Sequence, residues 1–124
     1  MTEWNLVPLG KYLSDYKWYE KKRPNELCAI LGNLDTYFEA LKMIGNPLQV
    51  KSGFIHDEPD GVKAIDQRGG KQKVKLQQTR LYLYPNVSEQ KLYLLAIGDK
   101  TTQRGDIQFC RERVKEIKQD EKGQ

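Results

Sequence analysis

Thr79-Arg80-Leu81-Tyr82-Leu83-Tyr84, followed after Pro85-Asn86 by Leu92-Tyr93-Leu94-Leu95-Ala96-Ile97, decides the fold class. The first run alternates with a period of two. Leu76, Arg80, Tyr82 and Tyr84 share one face of a strand, and Thr79, Leu81 and Leu83 share the other. This strand is expected from Val74 to Tyr84, with Pro85-Asn86 turning the chain. The second run is almost continuously apolar, which suits a central strand buried on both faces. Gly98-Asp99 ends it. Two paired strands therefore anchor the domain, and the remaining elements are read outward from them.

Upstream, Gly53 to His56 and Val62 to Asp66 read as short strands. Asp57-Glu58-Pro59-Asp60-Gly61 turns between them, with Asp-Gly as the strongest signal. Gly69-Gly70 marks a lysine-rich loop. Farther upstream the period changes to that of a helix. Leu27, Ile30, Leu31, Leu34, Phe38 and Leu41 form an apolar stripe from Pro24 to about Met43, closed by Gly45-Asn46-Pro47. Leu9, Tyr12, Leu13, Tyr16 and Tyr19 form another from Leu9 to Lys22, stopped by Pro24. Trp4 to Val7 is a short first strand. Trp4 and Trp18 are both read as packing residues. Downstream, Ile107, Cys110, Val114 and Ile117 place a last helix at about Gln103 to Gln119. The expected fold is α+β: an N-terminal strand and a helical hairpin on a twisted, mainly antiparallel sheet of three to five strands, with a C-terminal helix. The helices are expected on one face. Residues 1–119 make a single domain, and residues 120–124 a frayed tail.

Composition narrows the function. The chain has 124 residues, 38% of them hydrophobic, with seven Tyr, two Trp and three Phe. That is enough for one small core and argues against disorder. No stretch is long and apolar enough to span a bilayer, and the N-terminus has no apolar signal core. A soluble, cytoplasmic protein that does not engage a membrane is expected. Cys28 and Cys110 form no CxxC pair and, with His56 as the sole histidine, do not make a zinc site. Both are read as buried, inert thiols. No metal or cofactor is expected. Charge is uneven: residues 1–60 carry 7 basic and 9 acidic side chains, residues 61–124 carry 14 and 8. Between Val62 and Arg80, Lys63, Arg68, Lys71, Lys73, Lys75 and Arg80 face Asp66 alone. Such a strip attracts phosphates, and equally an acidic protein.

Three local features resemble the RelE/ParE superfamily of toxins from bacterial toxin–antitoxin systems, nearer to its HigB-like members. Gly61-Val62-Lys63-Ala64-Ile65-Asp66 is placed like the family's Gly-Leu-Tyr-Glu-Leu-Arg strand. Thr79-Arg80-Leu81-Tyr82-Leu83-Tyr84 is similar to its Tyr-Arg-Ile-Leu-Tyr strand. Leu94-Leu95-Ala96-Ile97-Gly98-Asp99-Lys100 with the following helix resembles its last strand and C-terminal helix. The resemblance implies a ribosome-dependent, metal-independent endoribonuclease acting on mRNA and neutralised by a cognate antitoxin. Other members poison gyrase without cutting RNA, so a binding toxin or a repurposed interaction module is the alternative.

The chemistry of metal-free RNA cleavage sets its own requirements. It needs a base for the 2′-hydroxyl, cations for the phosphate and an acid for the leaving 5′-oxygen. Arg80 matches the family arginine at the scissile phosphate, and its planar fork suits phosphate oxygens. The plain alternative is an arginine paired to a neighbouring strand. Lys100 falls where the family places a second basic residue. Arg68, Lys71, Lys73 and Lys75 are candidates for flanking RNA, and Tyr82 for stacking a base. The family's basic positions in the Gly61 strand become Ala64 and Asp66 here, and a tyrosine of the final helix falls near Asp106. The general base is therefore displaced. His56 is the candidate replacement, because histidine as a residue type titrates near neutral pH.

Overall fold

A computed structural model describes residues 3–67 and 77–122. Among them run β1 (Asn5–Pro8), α1 (Gly10–Lys22), α2 (Pro24–Ile44), β2 (Ile55–Asp57), β3 (Lys63–Asp66), β4 (Thr79–Asn86), β5 (Lys91–Asp99) and α3 (Gln103–Lys122), with 3-10 turns at Pro47–Gln49 and Pro59–Gly61. The fold is α+β. The sheet has five strands in the order β1-β5-β4-β3-β2. It is antiparallel except for β1, which runs parallel to β5.

Local chemistry fixes the boundaries. Pro24 opens α2, where a missing N–H costs nothing, and Gly45 closes it in the left-handed region at φ 82°. Asp60 and Gly61 both adopt positive φ in the β2–β3 hairpin. Pro85-Asn86 does not turn the chain. Both residues continue β4, and the reversal falls at 87–90, where Gln90 takes φ 53° and the Asn86 side chain accepts from Glu89 N–H. β2 starts at Ile55, two residues later than the pattern suggested.

The strands separate two cores. Leu81 and Leu83 join Ile65, Leu92, Leu94 and Ile97 beneath α1 and α2, together with Tyr12, Tyr19, Ile30, Leu34, Tyr37 and Leu41. Tyr82 and Tyr84 join Val62, Ala64, Leu95 and Ala96 on the opposite face, beneath Cys110 and Val114 of α3. The helices thus cover both faces rather than one. The reason lies in β4: both of its alternating sets are apolar or aromatic, so each needs a cover. A bulge lets β5 keep pace. Tyr82 pairs with Ala96 and Leu83 with Leu94, leaving Leu95 as the extra residue.

Smaller differences follow from packing. Tyr37 is fully buried although it stood outside the expected α2 stripe, and Trp18 is 48% exposed. Cys28 lies on the exposed side of α2, while Cys110 is buried. α3 runs to Lys122, into the segment expected to fray, and Glu121 accepts hydrogen bonds there from Ser88 and Asn86. No helix among the described residues is long and apolar enough to cross a membrane.

Candidate active site on the α3 face of the sheet

β3 is the hinge of the site. Its hairpin with β2 pairs Ile55 with Ile65 and His56 with Ala64. Ile55 packs against the α1–α2 core, so alternation sends His56 to the α3 face. Asp66, two residues beyond Ala64, is its diagonal neighbour there. His56 Nε2 lies 2.7 Å from Asp66 Oδ2. The Asp66 side chain is 4% exposed and the His56 ring 35%. A carboxylate that accepts from Nε2–H fixes the tautomer in which Nδ1 carries the lone pair. Asp66 is itself held from behind: its N–H donates to Phe54 and its carbonyl accepts from Asn33 Nδ2 at 2.8 Å.

Arg80 stands directly opposite Asp66 on the next strand, and opposite Gly98 on its other side. Its guanidinium donates to Glu58 Oε1 at 3.4 Å, with side chains 19% and 15% exposed. Among the described residues its buried Nε has no hydrogen-bond partner. The sheet register therefore puts His56, Asp66 and Arg80 on one face, with Asp66 and Arg80 at the same end of their strands, and the Glu58 side chain reaches Arg80 from the turn after β2. Lys100 follows Asp99, the register partner of Thr79, so it belongs to the same end and is exposed.

Tyr82 requires a correction. It is fully buried under α3, and its hydroxyl has no partner among the described residues. Burial pushes its phenol well above the usual range. In this packing its ring is core, not a platform for a base. Arg68, Lys71, Lys73 and Lys75 lie outside the described residues.

A second polar group borders the site. α1 lies along β5 beyond β1, and Asp15 accepts the N–H of Ile97 at 3.0 Å, satisfying an edge that β1 leaves unpaired. Across from it the Asp106 carboxylate accepts from Thr102 Oγ1 at 2.6 Å and lies 3.7 Å from Lys11 Nζ. Burial pushes the Asp106 carboxyl up, against the Thr102 hydrogen bond and the Lys11 charge that pull it down. Cys110, beneath α3, is pushed up to about 12 by burial, which makes it a poor nucleophile.

Sequence reasoning named His56 and Arg80 but missed their partners Asp66 and Glu58. The usable signal was the Asp60-Gly61 turn: counting outward from it sets His56 and Asp66 across the hairpin on one face. Among the described residues no group of three or more His, Cys, Asp or Glu is placed to hold a metal ion. No family model, curated protein or solved structure matches this chain.

Proposed function

We propose that the chain is an RNA-cleaving toxin of the RelE/ParE kind, acting on mRNA at the ribosome and restrained by an antitoxin protein. The observation that carries this reading is the His56–Asp66 pair one strand away from Arg80 on a single sheet face. His56 Nδ1 takes the proton of a 2′-hydroxyl, with Asp66 stabilising the imidazolium that forms. The 2′-oxygen attacks the adjacent phosphorus, the bond to the 5′-oxygen breaks as that oxygen takes a proton from solvent water, and His56 returns its proton to solvent after release of the products. Arg80 stabilises the charge on the phosphate oxygens. The products are a 2′,3′-cyclic phosphate and a 5′-hydroxyl. Lys100 supplies further positive charge at the same end of the sheet.

A specific observation favours a second reading. Arg80 already has an anionic partner in Glu58, and both side chains are largely buried. An arginine committed to that ion pair would leave a non-catalytic protein of the same fold that inhibits its target by binding. Induced expression followed by mapping of mRNA ends separates the two. New 5′-hydroxyl ends within translated frames support cleavage. Growth arrest with intact mRNA supports the binding protein.

A further inference from the structure

The surface of α3 carries a feature that the proposed reaction does not use. Arg104, Arg111, Lys115, Lys118 and Lys122 recur at spacings of seven, four, three and four, which places them along one side of the helix. Glu112, Glu116 and Asp120 recur at intervals of four along another. The inward side holds Asp106, Cys110 and Val114. Apart from Arg113, which pairs with Glu116, and Glu121, which is held by Ser88 and Asn86, the helix thus segregates its charges. From Arg104 to Lys122 the basic stripe spans about 27 Å at the helical rise.

The stripe is anchored beside the candidate active site. Arg111 Nε donates to Asp60 Oδ2 at 2.8 Å, and Lys118 Nζ to the Asp60 carbonyl at 3.4 Å. Asp60 is two residues from Glu58, the partner of Arg80. Arg104, Lys115 and Lys122 are exposed and make no ion pair among the described residues. Near its start the stripe borders an open groove of about 510 Å³ lined by Lys100, Gln103, Arg104, Ile107, Gln108 and Arg111.

The chemistry of this surface selects its partner. A protein interface needs an aromatic or aliphatic core that is fully buried on binding. The stripe offers none, and the groove has only Ile107. Nor does the groove hold an aromatic ring on which a base stacks. Cations without an apolar centre are what a phosphodiester backbone requires, and they contact it without reading sequence. We infer that the basic side of α3 is a sequence-tolerant track for the RNA backbone, leading from the groove at Lys100 along the helix. This rests on the reading of RNA as the partner and adds where the strand runs.

The test is binding of a fluorescein-labelled oligouridylate with 2′-O-methyl riboses, which cannot be cleaved, measured by anisotropy over a salt series. The variant is Arg104→Gln/Lys115→Gln/Lys122→Gln. The control is Lys17→Gln/Lys21→Gln/Lys22→Gln, which removes the same charge from exposed positions on α1. Each lost phosphate contact should reduce the slope of log K against log salt by about 0.7. The α3 variant is expected to lose a total of about 2 in slope, and the control to keep the wild-type value. An unchanged slope in the α3 variant, equal losses in both variants, or no binding by the wild type would each overturn the track. Tighter binding of poly-glutamate than of the RNA analogue would also overturn it, in favour of an acidic protein on this face. Because the probe is uncleavable, failure to cut mRNA would sink the proposed reaction and leave the track standing.

Discussion

The carboxylate of Asp106 occupies the space that Gly98 leaves by having no side chain. A Cβ at Gly98 would collide with Asp106 Oδ2 and lie 2.6 Å from Thr102 Oγ1. This glycine is demanded by close approach of α3 to β5, not by an unusual φ. Gly98→Ala is expected to cost about 1–3 kcal/mol by overpacking, read from urea midpoints. Asp106→Ala should recover much of that loss when combined with it, because the obstruction goes. Strict additivity of the two substitutions would contradict the contact.

The same carboxylate sets a pH dependence whose sign can be worked out. Burial raises Asp106 in the folded state, so the native chain binds its proton at higher pH than the unfolded chain. Between the two values stability falls as pH rises; the penalty is absent below the unfolded value and complete above the folded one. Asp99 has the opposite sign. The Thr101 hydroxyl and the backbone N–H groups of Thr101 and Thr102 hold it low. Its stabilisation is present above the unfolded value and lost as pH falls through the folded one. Asp106→Asn should therefore flatten the loss of stability above about pH 4, and Asp99→Asn the acid limb below it. Denaturation midpoints across this range check both. A curve for either variant parallel to that of the wild type would contradict its assignment.

Tyr82 gives a third expectation. Its hydroxyl is buried without a partner among the described residues, so removing it removes a desolvation cost. Tyr82→Phe should be neutral or stabilising by up to about 1 kcal/mol, and should not change cleavage. A large loss of RNA binding in a folded Tyr82→Phe protein would make this hydroxyl an RNA contact and contradict its burial in the core.

Glu58 is the anion that a phosphate would have to displace from Arg80. Glu58→Gln keeps the shape of the side chain and removes its charge. If Arg80 serves the phosphate, this variant should bind RNA more tightly, by roughly 3- to 10-fold, as suits the removal of one opposing charge. The salt-dependent anisotropy assay reads the change. Weaker binding by a folded Glu58→Gln protein would make the ion pair structural and favour the non-catalytic reading.

The elements were legible wherever the period was unambiguous. The apolar stripe of α2, the alternation of β4 and the continuous run of β5 all gave the right element type. The layer arrangement was not legible, because a strand with two apolar faces does not say which helix covers which. Cys28 and Trp18 were misplaced for a related reason. An apolar residue in a helical segment is buried only if it falls on the packed side, and two helices with broad stripes leave that angle open. At the site, Arg80 and His56 stood out by residue type. Asp66 and Glu58 became visible only through strand register, and the α3 stripe only when the inward side of that helix was known.

The most direct measurement is single-turnover cleavage of mRNA on translating ribosomes by the wild type, His56→Ala and Arg80→Ala, with circular dichroism to establish that each variant folds. General acid–base groups contribute roughly 100- to 10,000-fold to such steps. The account predicts cleavage by the wild type to 5′-hydroxyl ends, a loss of that order in His56→Ala, and a fall in rate for Arg80→Ala that exceeds its loss of RNA binding. Wild-type protein that leaves mRNA intact, or a folded His56→Ala protein that cuts at the wild-type rate, would contradict it.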